Sequence, residues 1–148
     1  PTKNRPSSEA LLRRVLQGKG LPEVNAAVDV CNLCSLDHQL PLGLYDRDQV
    51  KGVIQARIGR EDESYLGIRQ QRVGLRGRPL LADDEGPFGA PTSDSARTAV
   101  TAETKNLLVV MFCPVDRAGT HLTAALENIA DSLTRFCGAN IIAVRVAQ

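Results

Sequence analysis

Aromatic residues are scarce in this chain of 148 residues: two Tyr, three Phe and no Trp make up 3% of it. A stacking platform for single-stranded nucleic acid wants an aromatic face for each base it holds, and so many are not here. A charge of one sign is lacking too. The 18 Lys and Arg stand against 17 Asp and Glu, a formal net charge of +1. That argues against a dominant phosphate-tracking surface and leaves room only for a local basic patch. No run approaches the ~20 apolar residues of a membrane span, and no leader pattern opens the chain. Neither a membrane nor DNA is therefore an expected partner. The first residue is Pro rather than Met, which points to a trimmed start.

Histidine is nearly absent as well. His38 and His121 are the only two, and their spacing supports no Ser–His–Asp or Cys–His arrangement. A Gly-x-x-x-x-Gly-Lys-Ser/Thr loop is missing, so nucleotide hydrolysis is not expected. Four cysteines in a chain of this length do not make a secreted disulfide scaffold, and a cytoplasmic location is the default. Cys31-x-x-Cys34 with His38 offers three metal ligands on one helical face, but zinc needs a fourth and no second pair exists. The four cysteines read as small buried hydrophobes, with no metal and no cofactor expected.

What is present is an ordinary globular composition, 43% hydrophobic and 24% charged. It suits one domain over residues 1–148, with residues 1–5 as a polar lead-in. Ser7 or Ser8 is placed to cap a first helix running to Gln17, which Gly18 and Gly20 end. Pro22 is expected to open a second helix reaching His38. Val24, Ala27, Val28, Cys31 and Cys34 share a broad apolar arc of that helix, extended by Val30 and Leu33, as in a buried helix. Asn25, Asp29 and Asn32 fall on one narrow polar stripe of it. Buried polar groups must be satisfied, so the stripe either locks into a neighbouring backbone or lines a wet pocket.

Further on, Val50 to Ile58 alternates as a half-exposed strand, and Tyr65 to Ile68 makes a short one. Arg69 to Arg78 carries four arginines and reads as a solvated basic strand pair, with contact to a nucleic-acid backbone as the alternative. Asn106 to Cys113 is a strongly apolar strand. Asp116 or Thr120 caps a helix with Leu122, Leu126, Ile129, Leu133 and Phe136 at helical spacing, and Asn140 to Val146 makes a last strand. Strand, helix, strand at this length suits a right-handed crossover.

The densest polar chemistry lies in Gly86-Pro-Phe-Gly-Ala-Pro-Thr-Ser-Asp-Ser-Ala-Arg-Thr98. Its Gly and Pro residues punctuate a turn. Thr92, Ser93, Asp94 and Ser95 then place three hydroxyls and a carboxylate side by side, with Arg97 and Thr98 close behind. Hydroxyls beside Asp bond local backbone and favour caps, which makes this a well-capped loop on one reading. On the other it is a polar cradle for an amine, carboxylate or carbonyl of a small ligand. Any catalysis here would rest on positioning and carbonyl polarisation, since no residue stands out as a nucleophile.

Three of these stretches together resemble a known family. They are Val24-Asn-Ala-Ala-Val-Asp-Val-Cys-Asn-Leu-Cys-Ser-Leu36, Leu40-Pro-Leu-Gly-Leu-Tyr-Asp46, and Leu81 to Thr101 followed by Glu103-Thr-Lys-Asn106. They are similar to the B3/B4 domain of the phenylalanyl-tRNA synthetase β subunit. The forms Leu-Pro-Leu-Gly-x-Tyr-Asp and Pro-Thr-Ser-Asp-Ser-x-Arg-Thr, with Pro6-Ser-Ser-Glu-Ala-Leu-Leu12, are closer to its free-standing relatives. The resemblance covers about Pro6 to Val146. It implies an α+β single domain with a mixed sheet or partial barrel flanked by helices. It also implies a pocket that in the synthetase hydrolyses tyrosine mischarged on phenylalanine tRNA.

Carried over by position, Asp29 and Asn32 match the family's helix motif and Tyr45-Asp46 its aromatic–Asp pair. Cys31 stands where the synthetase has Thr. Gly43 occupies the position of a pocket histidine, and Pro91 falls near a glutamate, so tyrosine specificity is not inherited. The resemblance favours the pocket over the lock. The candidate binding set is then Asn25, Asp29, Asn32, Tyr45, Thr92, Ser93, Asp94, Ser95, Arg97 and Thr98. The expected activity is hydrolysis of mischarged aminoacyl-tRNA by a free-standing protein. The alternative is a non-catalytic or small-molecule-directed module partnering an amino-acid-activating ligase. The expected ligand is an aminoacyl-tRNA or an amino-acid-derived small molecule.

Overall fold

The computed structural model describes residues 5–147. Most of the lead-in expected over residues 1–5 thus lies outside the described residues. Helices α1 (Ser7–Leu16), α2 (Ala26–His38) and α3 (Thr120–Cys137) accompany eight short strands. These are β1 (Leu42–Asp46), β2 (Gln55–Ile58), β3 (Ser64–Leu66), β4 (Arg72–Gly74), β5 (Pro79–Asp83), β6 (Gly86–Ala90), β7 (Ser93–Asp94) and β8 (Leu107–Met111). The sheets have the orders β1–β8, β2–β5–β6–β7 and β3–β4. Every ladder is antiparallel, with one isolated parallel bridge between Gly59 and Arg76. The fold is α+β, and its sheets do not close into a barrel among the described residues.

Alternation along the strands explains the layering. In β1, Leu42 and Leu44 face a cluster of Val30, Cys31, Cys34, Ile129 and Leu133, which joins α2 to α3. The opposite face carries Gly43 and Tyr45, and Tyr45 packs with Val50, Leu81 and Phe88. β5 splits likewise: Leu81 serves this second cluster, while Leu80 and Ala82 join Tyr65, Leu75 and Ala90 in a third. A strand buried on both faces needs apolar residues at every position, and β5 supplies Leu80, Leu81 and Ala82 in a row. No helix among the described residues is long and apolar enough to cross a membrane.

Several local expectations are corrected. The first helix is capped by neither Ser7 nor Ser8; Pro6 holds the N-cap position, and the Ser7 N–H donates to the Pro91 carbonyl at 2.9 Å. The second helix begins at Ala26, not at Pro22, because Asn25 has an extended backbone and its side chain accepts the Val28 N–H. That helix is not buried all round, since Leu33 is 56% exposed. The strand expected over Val50 to Ile58 is reduced to β2, after a helical turn at Arg47–Gln49.

The turn read from Gly86 to Pro91 is instead a strand, β6. Its Pro87 is tolerated because the β5–β6 register shifts between Leu81 and Ala82, where the ladder is already irregular. The last strand, Asn140 to Val146, does not form and the crossover is absent. Residues 140–147 have no ladder partner and stay exposed, Ile142 at 87%.

Candidate functional site

β1, β6 and β7 converge on one pair of side chains. The Tyr45 hydroxyl donates to Asp94 Oδ1 at 2.7 Å. Tyr45 is wholly buried, and its ring meets Phe88 edge-on with centroids 5.0 Å apart. The hydroxyl reaches Asp94 only because Gly43 and Gly89 lack side chains. A Cβ on Gly43 would lie 2.0 Å from the Tyr45 oxygen, and one on Gly89 2.2 Å from it. Gly43 shares the β1 face of Tyr45, two residues away, and Gly89 is the β-ladder partner of Asp94.

Enclosure changes the chemistry of this pair. Burial pushes the Asp94 carboxyl up to about 7, against the opposing pull of the Tyr45 hydroxyl and the Ala90 backbone N–H. Burial, with the Asp94 charge next to it, likewise raises the Tyr45 phenol well above its ordinary range. The phenol is thus a fixed proton donor, while the carboxyl divides between its two protonation states near neutral pH. A carboxyl tuned in this way suits acid–base work near pH 7.

The rest of the loop holds this carboxyl in place. The Tyr65 hydroxyl donates to the Ser93 carbonyl at 2.6 Å, and burial raises that phenol to about 12. Ser95 is buried; its N–H donates to the Phe88 carbonyl at 2.9 Å and its hydroxyl accepts the Arg97 N–H. Thr98 is fully buried, and its hydroxyl has no hydrogen-bond partner among the described residues. Thr92 is half-buried in the turn between β6 and β7. Arg97 grips both oxygens of Asp83, at 2.8 and 3.0 Å, and also reaches Glu85 and the Gln49 carbonyl. Asp83 has a side chain with no exposure and also accepts the backbone N–H groups of Lys51 and Glu85. Burial opposes its ionisation, but these donors outweigh burial and hold its carboxyl below the ordinary value.

The α2 residues do other work. Asn25 caps the helix, and Asp29 Oδ1 accepts the Val24 N–H at 2.9 Å, a reciprocal clamp on the helix entry. Asn32 is half-buried on the same helix. No hydrogen bond joins these three to the Tyr45–Asp94 pair among the described residues. Asp46, neighbour of Tyr45, is buried and receives the Asp48 N–H and the Thr104 hydroxyl. The sequence reading missed Asp83, Tyr65 and Gly89. Only Gly89 had a visible signal, as a glycine inside an otherwise packable strand.

The Cys31–Cys34–His38 motif packs against α3. Cys34 and His38 both meet Asn128 Oδ1, at 3.5 and 3.0 Å. Burial pushes the Cys31 thiol up to about 12, so it is held protonated. Two clefts of about 310 and 290 Å³ lie along α3, at Leu126 with Val144 and at Cys34 with Asn128. Neither cleft is lined by Tyr45 or Asp94.

The fold is that of a small α+β domain in which a buried phenol is hydrogen-bonded to a half-buried carboxyl. The B3/4 domain family model matches residues 1–138, and the chain belongs to that family. Among relatives of known name, the phenylalanine–tRNA ligase β subunit of Paramagnetospirillum magneticum is 36% identical over 129 residues, 84% of this chain and 16% of that protein. The corresponding subunit of Bartonella henselae is 29% identical over 132 residues, 88% of this chain and 16% of that protein. That of Brucella abortus (strain 2308) is 36% identical over 86 residues, 57% of this chain and 11% of that protein. The chain therefore spans a small part of these subunits. An N-terminal fragment of the phenylalanyl-tRNA synthetase β subunit from Pyrococcus horikoshii has the same fold, with a TM-score of 0.62 at 18% identity. That match covers 75% of this chain and 40% of the fragment.

Proposed function

We propose that this domain hydrolyses the ester of an aminoacyl-tRNA, releasing the amino acid and leaving the tRNA hydroxyl free. The observation that carries the reading is the Asp94 carboxyl, enclosed beside Tyr45 and titrating near 7. As a carboxylate it takes a proton from water while the water oxygen attacks the ester carbonyl. The intermediate then expels the ribose oxygen, which takes the proton that Asp94 holds and so returns the carboxylate to its starting state. Tyr45 keeps the carboxylate aimed throughout. The hydroxyls of Thr92 and Ser93 and the backbone N–H groups of this loop are the groups available to hold the acyl portion. Thr98 adds a buried hydroxyl with no other partner. On this reading Asn25 and Asp29 fix the entry of α2, which packs against the face of β1 opposite Tyr45. The compartment the reading requires is the cytoplasm, where charged tRNA is found.

Family membership alone does not supply the substrate, because the chain spans 16% or less of the named subunits. A panel of correctly and wrongly charged tRNAs, run beside free aminoacyl esters, identifies it. Selective hydrolysis of one charged tRNA supports the reading. Absence of hydrolysis above the spontaneous rate for every ester rejects it.

A second reading is favoured by Arg97. Its guanidinium is committed to Asp83 and Glu85, so the one cation in the loop does not point freely at a ligand. The domain would then bind an amino-acid-derived small molecule, or gate one for an amino-acid-activating ligase, without cleaving it. Binding of an amino acid or its ester by calorimetry with no turnover would separate the two.

A further inference from the structure

Apart from Tyr65, the β3–β4 hairpin takes no part in the chemistry above, yet it is bound to the loop that carries Asp94. Gly67, just after β3, forms an isolated antiparallel bridge with Ser95. Tyr65, within β3, donates its hydroxyl to the Ser93 carbonyl. The two residues flanking Asp94 are therefore both fastened to this hairpin. The base of the hairpin is closed by the Leu75 N–H on the Glu63 carbonyl, and the chain just beyond it is tied to the end of β2, where the Gly59 N–H donates to the Arg78 carbonyl.

Charge is segregated on this element. Between Tyr65 and Ala82 the chain carries four arginines, Arg69, Arg72, Arg76 and Arg78, and no carboxylate, so the near-neutral total conceals a basic stretch. The ion pairing is uneven. Arg57 and Arg97 are each clamped by a carboxylate. Arg69 is exposed and forms no ion pair or hydrogen bond among the described residues. Arg72 is exposed and, among the described residues, its side chain meets only the Ser64 hydroxyl. Arg76 has one partner, Glu61, in a pair whose members are 75% and 70% exposed, a type of contact worth little in water. Arg78 lies close enough to Tyr65 to favour its ionised phenolate. Guanidinium groups without a carboxylate, or with only an exposed one, are available for planar, doubly bonded anions such as phosphate.

We infer that the β3–β4 hairpin is the docking surface for the phosphate backbone of an RNA whose end enters the Asp94 loop, with Arg69, Arg72 and Arg76 on the phosphates. This deepens the deacylase reading and rests on it for the identity of the RNA, but not for the binding itself. The scarcity of aromatics fits such a mode, since the contact is to the backbone and not to stacked bases. The charge supplies affinity and register, while the acyl group supplies the discrimination.

The test uses the full chain and an uncharged RNA minihelix with a single-stranded 3′ end, labelled for anisotropy. The dissociation constant is measured against salt for the wild type and for R69Q/R72Q/R76Q. The expected wild-type affinity falls steeply with salt, and the variant loses about 2 from the logarithmic slope at ~0.7 to 0.9 per phosphate contact. Binding weakens roughly tenfold or more at low salt. The charge-keeping variant R69K/R72K/R76K retains most of the slope, which separates lost charge from lost fold. Hydrolysis of a free aminoacyl ester, where the wild type shows it, stays unchanged in both variants. A flat salt response, or equal slopes in wild type and glutamine variant, overturns the inference. So does competition by polyglutamate as effective as that by RNA, which would mark an acidic protein as the partner. Loss of the deacylase reading shows differently: no ester of any kind is cleaved, while the salt-dependent binding persists.

Discussion

Tyr45 and Asp94 are 49 residues apart in the chain and 2.7 Å apart at their oxygens. The bond is made across two strands whose glycines, Gly43 and Gly89, leave room for the phenol and nothing larger. Removing the hydroxyl leaves the space and the ring but takes away the donor. In Tyr45→Phe the Asp94 carboxyl loses a partner that holds its pKa down. Any pH midpoint assigned to Asp94 should therefore move upward. The stability cost should be about 1 to 2 kcal/mol, the usual result of orphaning a buried acceptor. NMR titration of Asp94 in the two proteins checks this, and an unmoved or lowered midpoint contradicts it.

The glycines should be as intolerant as the pair they enclose. Gly43→Ala puts a carbon 2.0 Å from the Tyr45 oxygen and 2.5 Å from its ring, so the ring must move. The expected loss is roughly 2 to 3 kcal/mol from overpacking. Trimming the tyrosine should relieve it: Gly43→Ala and Tyr45→Leu should couple favourably by ~1 kcal/mol or more in a double-mutant cycle. Additive losses in chemical denaturation would show that the two do not share this space.

Arg97 should prove to be mainly a brace. Asp83 is enclosed and bound by Arg97 through both oxygens. Arg97→Ala strands that charge and should cost roughly 3 kcal/mol, as breaking a buried pair does. Lysine carries the charge without the planar fork and should restore only part of the loss. Because the Asp83 carboxyl sits below its ordinary value, its contribution is present above that value and fades as the pH falls. The defect of Arg97→Ala should thus shrink in acid. A defect independent of pH, or none, would return Arg97 to the ligand-binding set.

Asp94 runs the other way. Its folded value of about 7 lies above the ordinary 3.8. A raised carboxyl favours the folded state fully below the ordinary value, and this contribution is lost as pH rises through 7. The difference between the two limits is roughly 4 kcal/mol at most. Asp94→Asn cannot ionise, so its melting temperature should gain on the wild type between pH 5 and 8 by several degrees. Parallel curves for the two proteins would remove the buried titration.

The sequence was readable where the chemistry was local. α1, α3 and β8 follow from periodicity, and Asp94 and Ser95 stood out from their neighbours, whereas Tyr45 read locally as the start of a turn and entered the site only through the family resemblance. Asn25 and Asp29 were visible as a polar stripe, yet their use as a helix clamp depends on Asn25 adopting an extended backbone, which spacing does not reveal. Arg97 was visible as a cation, but its partner Asp83 is set by the β5–β6 hairpin. The pairing of Tyr45 with Asp94 is a long-range contact between β1 and β7, and no local pattern encodes it. Pro87 concealed β6, because the irregular register that admits a proline belongs to the neighbouring strand. The terminal segment failed for the opposite reason: Ile141, Ile142, Val144 and Val146 have strand character, but strand character alone does not supply a partner.

The most direct measurement is the pH–rate profile of deacylation on the charged tRNA that the panel selects, for the wild type and Asp94→Asn. A catalytic carboxylate near pH 7 predicts that wild-type kcat/KM rises with pH to a midpoint of about 7. It also predicts that Asp94→Asn, still folded, loses about 100-fold or more and shows no such rise, in the range of a removed general base. A profile for Asp94→Asn that matches the wild type in rate and shape would contradict the assignment of Asp94 as the base.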